Sequence, residues 1–241
     1  MQNFIINLKE GFFTDDIIKK IQNSKNVLIQ IFCGEIDKLE KYVEKLNNTF
    51  NNAVIIGSTT DGEIKNEEIL ENSSIAIASI FKNTTLKIAY ENKENEYETG
   101  KALLKDIIQP NTKAIISFCK GLGSDSELFL KGMNENLPKN VIIAGGLAGD
   151  NAKFIKTFIV YNNKIYEDGA VGVSLNSDTL KVQNFYNFGW KGLGREHTIT
   201  KAKSNVIYEI DNIPAIKFYG KYLGKDIENR LPRTGIIFPL I

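Results

Sequence analysis

Short apolar runs alternate with amphipathic stretches along this chain, the pattern expected of strands and helices packed in layers. Residues 27–33, 53–57 and 73–81 are apolar runs of strand length, and they predict buried strands. Residues 37–50 carry apolar side chains at helical spacing with Lys and Glu opposite, which predicts an amphipathic helix between the first two strands. The other elements predicted in this half are a helix that begins after Thr14, a strand at 86–90 and a helix at 96–108.

The same succession of elements recurs after Pro110. Residues 113–119 predict a strand, and the capping-box sequence 124–127 predicts the start of a helix that ends near Asn136. Residues 141–144 predict the next strand. Further strands are predicted at 154–161, 164–166, 168–175 and 180–188.

The last part of the chain does not repeat this succession of elements. Residues 199–202 and 205–210 predict two strands. Asp211 and Asn212 predict the cap of a following helix, which has Pro214 in its first turn.

Sequence echoes indicate that the two halves arose by internal duplication. Val54-Ile55-Ile56-Gly57 ends its apolar run as Val141-Ile142-Ile143-Ala144 does, and the two starts lie 141 − 54 = 87 residues apart. The strands upstream begin at Val27 and Ala114, and 114 − 27 is again 87. We therefore predict a mixed α/β fold with duplicated strand–helix–strand–strand–strand units, about 27–90 and 114–188, whose mixed β-sheets are flanked by helices.

Composition and charge exclude several functional classes. The 241 residues are 42% hydrophobic and 24% charged, which is ordinary for a globular protein. The 30 Lys+Arg against 29 Asp+Glu give a net charge of +1, so we predict no nucleic-acid partner. The two cysteines, Cys33 and Cys119, are too few for a disulfide framework or a zinc site and predict small buried side chains. Neither a signal peptide nor a membrane-spanning run is present, so we predict a cytoplasmic protein with no membrane partner.

The candidate chemistry lies in two loops that follow the duplicated strands. The first loop offers hydroxyls and carboxylates, and the second is rich in glycine and ends in an acid. Because ligands bind beyond the carboxyl ends of strands in α/β sheets, we expect the two loops to line one pocket for a small polar ligand. The candidate ligand-binding residues are Ser58, Thr59, Thr60, Glu63, Gly145, Gly146 and Asp150.

These residues are also open to other interpretations. Glycines at strand ends permit tight turns, and short acids beside them cap those turns. An enzyme that acts on a small metabolite through the hydroxyl and carboxylate cluster at 58–63 is an alternative, and so is a protein-docking module. A hydrolytic triad would depend on His197, the one histidine of the chain. We predict no catalytic residue, no metal site and no cofactor.

Four blocks of sequence together resemble one family. They are Gly57-Ser58-Thr59-Thr60-Asp61-Gly62-Glu63-Ile64; Ala144-Gly145-Gly146-Leu147-Ala148-Gly149-Asp150 with Asp168-Gly169-Ala170-Val171-Gly172-Val173; Gly189-Trp190 with Leu193-Gly194; and Ile199-Thr200-Lys201-Ala202 with Glu209-Ile210-Asp211, Pro214-Ala215 and Tyr219. With these blocks the chain resembles the FIST family of bacterial intracellular signal-transduction sensor domains. Ser58 and Asp61 depart from the family pattern, which often has Cys and a small residue there, so no thiol chemistry carries over.

The resemblance implies a domain organisation and a function. It implies an N-terminal FIST region at 1–196 and the start of a C-terminal region at 197–241, and the apolar residues 238–241 at the end of the chain predict that the second region is truncated. It implies a sensory module that binds a small molecule, such as an amino acid. The signal would pass to an output domain such as a histidine kinase, a diguanylate cyclase or a chemotaxis receptor. No catalytic residues carry over from the family.

Overall fold

The computed structural model describes residues 1–185, 189, 191–192 and 194–240 and divides the chain into two units, Met1–Asn184 and Phe185–Ile241. The helices of the first unit are α1 (Asp15–Gln22), α2 (Leu39–Thr49), α3 (Glu96–Ile107) and α4 (Ser126–Asn134), with a 3₁₀ turn at Ile36–Lys38. Its strands are β1 (Gln2–Asn7), β2 (Asn26–Cys33), β3 (Val54–Thr59), β4 (Glu63–Lys65), β5 (Glu68–Leu70), β6 (Ser74–Phe81), β7 (Thr85–Glu91), β8 (Thr112–Cys119), β9 (Ile142–Leu147), β10 (Ile159–Tyr161), β11 (Lys164–Tyr166) and β12 (Ala170–Asn176).

The strands of the first unit form two mixed sheets and a small hairpin. One sheet has the strand order β1-β6-β2-β3-β10-β11, and β2 and β3 are its parallel pair. The other has the order β7-β12-β8-β9, and β8 and β9 are parallel. Strands β4 and β5 pair only with each other.

The two sheets pack face to face with helices outside. Side chains from both sheets meet in a central core, where the rings of Phe32 and Phe118 lie 5.5 Å apart, edge to face. A second core joins α1 and α2 to the outer face of the larger sheet, and a third joins α3 and α4 to the outer face of the smaller one. This layering confirms the predicted class, a mixed α/β fold with mixed sheets flanked by helices.

Burial on both faces explains why the central strands are predominantly apolar. In β2, Ile29 and Ile31 face the helices while Leu28 faces the other sheet, because successive side chains of a strand point to opposite faces. In β8, Ala114 and Phe118 face the central core and Ile115 faces α3 and α4. Helix and sheet therefore cover most positions of these strands, and the polar residues Gln30 of β2 and Lys113 of β8 lie at partly exposed positions.

The segments 27–57 and 114–145 have the same topology. Each consists of a strand, a helix and a parallel strand, and each first strand has an antiparallel neighbour, β6 in one case and β12 in the other. The second half differs in the helix pair α3 and α4, which cross where Gly100 and Gly132 leave no room for a Cβ atom against the opposing backbone. That the two halves superpose stays a prediction.

Several predicted elements differ in the structure. The strand predicted at 180–188 is wrong over 180–185, where the backbone pairs with no strand, and residues 186–188 lie outside the described residues. Residues 154–158 are not a strand, since the backbone of residues 153–156 wraps around a carboxylate described below. Helix α4 begins after Asp125, whose carboxylate accepts from Leu128 N, so the capping box at 124–127 was wrong by one residue. The hairpin of β4 and β5 and strand β1 were not predicted.

The second unit contains a small antiparallel sheet and short helices. The sheet has the order β13 (Ile199–Lys203), β14 (Val206–Ile210) and β15 (Ile213–Pro214). Helix α5 (Ala215–Leu223) follows and ends at Gly224, whose φ is 96°, and a 3₁₀ segment (Lys225–Arg230) and α6 (Arg233–Ile237) complete the unit. The predicted cap of α5 was wrong: Asp211 and Asn212 form the turn between β14 and β15, and Pro214 precedes the helix. Trp190 and Leu193 lie outside the described residues.

Candidate functional site

The carboxyl ends of β2, β3, β8 and β9 lie along one side of the first unit. Backbone hydrogen bonds connect the chain just beyond these ends within each half, from Thr60 N to Cys33 O (3.2 Å) and from Ala148 N to Cys119 O (2.9 Å). We call residues 58–63 loop A and residues 145–151 loop B. Loops A and B touch directly, because Gly149 N donates to Thr59 O at 2.8 Å. The loops that the sequence predicted to converge are therefore neighbours.

Ser58 and Thr59 in loop A are the last residues of β3, and both are buried. Thr59 is fully buried, and its hydroxyl oxygen accepts from Phe158 N at 3.0 Å. Ser58 lies opposite Ile159 of β10. These two side chains therefore belong to the joint between β3 and β10 rather than to an open surface.

Glu63 is a buried carboxylate whose two oxygens both accept hydrogen bonds. The Thr60 hydroxyl donates to Oε1 at 2.5 Å, and the Ser73 hydroxyl donates to Oε2. A Cβ atom on Gly34 would lie 3.2 Å from Glu63 Oε1, so the chain passes close to the carboxylate on that side. Only 3% of Glu63 is exposed, and the side chain joins loop A to the start of β6.

Asp150 holds its own loop together. Its Oδ1 accepts from the backbone N–H groups of Lys153 and Phe154, both at 3.0 Å, and its Oδ2 accepts from Ile155 (2.6 Å) and Lys156 (3.1 Å). Burial acts to raise the pKa of this carboxyl, but the four N–H donors together outweigh it and hold the pKa below its ordinary value. Asp150 is thus the carboxylate that residues 153–156 wrap around.

The Asp61 carboxylate of loop A accepts hydrogen bonds from the backbone at the end of loop B. Its Oδ1 accepts from Asp150 N at 2.8 Å and from Ala152 N at 3.2 Å. Asn151 N also donates to Thr60 O at 3.3 Å. Four backbone N–H groups therefore join the two loops. Gly149 donates to Thr59 O and Asn151 to Thr60 O, while Asp150 and Ala152 donate to the Asp61 carboxylate.

The two glycines of loop B have different surroundings. Gly145 lies in β9 opposite Ser117, with φ of +153°, and a Cβ atom there would overlap the Ser117 carbonyl. Gly146 is exposed and a Cβ atom there would meet nothing within 4 Å. The structure therefore brings Thr59, Thr60, Glu63 and Asp150 together, uses their polar atoms internally, and leaves Gly146 open to solvent.

A cavity of about 80 Å³, which we call the β8-end cavity, lies beside these loops and was not predicted. It begins where β8 ends at Cys119 and Lys120 and is closed by the first turn of α3 and the start of β12. None of the seven candidate ligand-binding residues is in its lining. The lining residues are Asn92, Lys93, Glu94, Asn95, Glu96, Thr99, Cys119, Lys120, Ser124, Phe129, Gly169 and Ala170.

The β8-end cavity places charges of both signs next to neutral polar groups. Lys120 Nζ lies 3.2 Å from Asp168 Oδ1 and 3.9 Å from Glu96 Oε1. The Thr99 hydroxyl accepts from Lys93 N at 3.0 Å and donates to Asn95 O at 2.9 Å, which fixes the chain before α3. Burial raises the pKa of the Cys119 thiol to about 12, so the thiolate is not available as a nucleophile. The sequence signal for this cavity was the Asn95 helix cap together with a lysine directly after a buried strand.

A groove along β7 and a histidine cluster in the second unit also present polar side chains. An open groove of about 460 Å³ runs along β7, lined by Lys87, Ile88, Ala89, Tyr90, Asp106 and Tyr161. In the second unit, His197 Nδ1 lies 2.6 Å from Asp211 Oδ2 and Nε2 lies 2.9 Å from the Tyr222 hydroxyl. Both cysteines are buried and free, as predicted.

Two features are absent from the described part of the chain. Within it, no three His, Cys, Asp or Glu side chains gather as metal ligands would. Across the same residues, no helix combines the length and the apolar character that crossing a bilayer requires.

Comparison with known proteins places the fold in a family. The uncharacterized protein MJ1623 of Methanocaldococcus jannaschii is 24% identical over an alignment that covers 90% of this chain and 44% of that protein, so the chain spans less than half of its relative. The FIST N domain matches residues 27–213, which include loops A and B and the lining of the β8-end cavity. The chain belongs to the FIST family of signal-transduction sensor domains.

Proposed function

We propose that this domain is a cytoplasmic sensory module that binds a small ligand, an amino acid or a similar metabolite. Membership of a sensor family supports the general role. The observation that carries the ligand class is the β8-end cavity, which offers an ammonium, carboxylates and neutral polar groups within one small space at the end of a strand. A zwitterion needs this combination, because both of its charges must find partners when water is removed.

The size of the cavity restricts the part of the ligand that it can enclose to a group smaller than benzene. Its volume is about half of the ~150 Å³ that holds benzene in an engineered protein cavity. In the proposed complex the ligand carboxylate faces Lys120 and its ammonium faces Glu96. Loops A and B are the second proposed location for the ligand, with Thr60, Gly145 and Gly146 as the candidate residues that are at least partly exposed to solvent.

The bound state is read by an output domain in this proposal. Histidine kinases, diguanylate cyclases and chemotaxis receptors are the candidate partners, on the same chain or a separate one. The relative MJ1623 is more than twice as long as the part that matches this chain, which leaves room in it for further regions.

The enzyme interpretation gains no support from the geometry of loop A. Ser58 is 3% exposed, and both oxygens of Glu63 are occupied by Thr60 and Ser73. A nucleophile needs a base within reach and access to its substrate. No described hydrogen bond joins Ser58 to an acid or a base.

Ligand binding is tested by thermal unfolding and calorimetry against the free amino acids and related metabolites. A ligand at a hundred times its dissociation constant should add about 2.7 kcal/mol to the free energy of unfolding. Lys120→Ala should abolish this gain, because the ligand carboxylate loses its cation. Lys101→Ala, which removes an exposed lysine of α3 paired with Glu135, should preserve the gain and is the matched control.

Three outcomes would change the proposal. A gain that survives Lys120→Ala but is lost in Thr60→Val would move the ligand to loops A and B. Steady consumption of the ligand would favour an enzyme. No stabilisation by any of these compounds would contradict the proposed ligand class.

A further inference from the structure

The second unit contains a hydrogen-bonded chain of an acid, an imidazole and a phenol. His197 precedes β13, Asp211 lies in the turn after β14, and Tyr222 lies in the last turn of α5. Asp211 Oδ2 is 2.6 Å from His197 Nδ1, and His197 Nε2 is 2.9 Å from Tyr222 Oη. Three separate elements thus bring the one histidine of the sequence between a carboxylate and a hydroxyl.

The carboxylate decides which ring nitrogen of His197 carries the proton. Asp211 accepts from His197, and also from Thr198 N at 2.9 Å, and these donors lower the pKa of its carboxyl below the ordinary value. An ionised carboxylate only accepts, so His197 Nδ1 carries the hydrogen of the neutral ring. His197 Nε2 then has a free lone pair, and the Tyr222 hydroxyl donates to it.

Packing holds this geometry in place while leaving the phenol accessible. The imidazole lies edge-on to the ring of Phe218, with centroids 4.7 Å apart, and Phe218 is buried. The His197 side chain is itself only 17% exposed. Tyr222 is 54% exposed, so a reagent in solution reaches the hydroxyl that the imidazole polarises.

The order of groups is that of an activated nucleophile. An acid orients an imidazole, and the imidazole takes the proton of a hydroxyl as that hydroxyl attacks. We propose that Tyr222 is a nucleophilic tyrosine that accepts an acyl group from an activated ester or thioester. His197 is its general base, and Asp211 is a positioning residue that acts through His197.

The proposed step balances without a further reagent. A lone pair of Tyr222 Oη forms a bond to the acyl carbon while the phenolic proton passes to His197 Nε2. The bond between the acyl carbon and the leaving oxygen or sulfur breaks, and the electron pair departs with the leaving group. The imidazolium returns the proton to that group, so the products are an aryl ester on Tyr222, a free alcohol or thiol, and neutral His197.

The test treats the full chain with p-nitrophenyl acetate and follows p-nitrophenolate release together with peptide mapping of the acetylated product. We expect the acetyl ester to form first on Tyr222, to be removable by hydroxylamine, and to be absent in Tyr222→Phe. Tyr208 is the matched control, because it is 48% exposed, lies in the same unit and has no described hydrogen bond to its hydroxyl. Tyr208→Phe should leave the rate unchanged.

The role of His197 is tested by His197→Gln, which keeps a polar side chain and removes the base. General-base catalysis contributes about 100-fold or more, so the rate of acetylation at Tyr222 should fall by that order. In the unchanged protein the rate should level off well below pH 10, near which free phenols ionise, whereas in His197→Gln it should keep rising toward that pH. Asp211→Asn should slow acetylation by a smaller factor and distort the same pH profile.

Several results would overturn the proposal. One is acetylation of Tyr208 at the same rate as Tyr222. Another is an unchanged rate at Tyr222 in a folded His197→Gln protein. If that variant fails to fold, the comparison is with a free tyrosine amide: an equal rate per phenol in the unchanged protein contradicts activation, and a rate about 100-fold higher supports it.

Discussion

Replacing Asp150 with Ala is expected to lower the free energy of unfolding by about 3–5 kcal/mol, because it removes a buried carboxylate that holds four backbone N–H groups. Each hydrogen bond to a charged group contributes about 1.5–3 kcal/mol, and four donors on one loop do not add independently. Without the acceptor, residues 153–156 lose their fixed path and loop B loses its anchor. Urea denaturation followed by circular dichroism measures the change.

Asp168→Ala is the matched control for this substitution. Asp168 also follows closely on a strand pair of the first unit, but it is largely exposed and its described side-chain contact is an ion pair with Lys120. We expect its loss to change the free energy of unfolding by less than about 1 kcal/mol. Equal effects of the two substitutions would show that Asp150 is not the structural anchor described here.

The same carboxylate predicts a dependence on pH. The pKa of Asp150 in the folded protein lies below its ordinary value of 3.8, so the stabilisation is complete above that value and is lost as the pH falls through the folded pKa. Asp150→Asn should therefore be less stable than the unchanged protein at pH 7, and the difference should shrink below about pH 4. A difference that stays constant into the acid range would contradict the assignment.

Replacing Gly145 with Ala is expected to cost about 2–3 kcal/mol, whereas the same change at Gly146 is expected to be tolerated. The Gly145 Cβ would overlap the Ser117 carbonyl, so β9 would have to move away from β8, and its φ of +153° is strained for alanine. Gly146 has open space and no such φ, and alanine there restricts the unfolded chain, which leaves stability unchanged or raises it by up to about 1 kcal/mol.

This adjacent pair also separates structural from ligand-binding roles in loop B. Thermal unfolding of both variants gives the stability difference, and calorimetry with the amino acid or metabolite that stabilises the unchanged protein gives the affinity. Loss of stability in Gly146→Ala comparable to that in Gly145→Ala would contradict the packing described for β9. Loss of affinity in Gly146→Ala with unchanged stability would place the ligand against loop B.

The parts of the fold that the sequence predicted are those whose cause is local. Strands β2, β3 and β8 are largely buried on both faces, so each is a predominantly apolar run that the sequence shows directly. Strand β1 was missed because its pattern is short and depends on pairing with β6, about 75 residues away. Residues 154–158 were mistaken for a strand because the sequence does not reveal which donors the Asp150 carboxylate takes.

The predictions for the candidate site also succeeded where the cause was local and failed where it was not. Convergence of loops A and B was predicted because both follow parallel strands in a duplicated pattern. The direction in which Glu63 and Asp150 point was not predictable, since their partners are hydroxyls and backbone groups that every sequence offers in excess. His197, Asp211 and Tyr222 were missed as a set because 14 and 25 positions separate the histidine from its partners.

The backbone bonds between loops A and B connect the two sheets outside their hydrophobic cores. Lys120, in the lining of the β8-end cavity, follows Cys119, whose carbonyl accepts from Ala148 N. Gly149, which follows Ala148, donates to the carbonyl of Thr59 at the end of β3 in the other sheet. Two successive hydrogen bonds therefore lead from the cavity in one half to a strand end in the other. A ligand that shifts the end of β8 must either stretch these bonds or carry β3 with it, so occupancy in one half becomes a displacement in both.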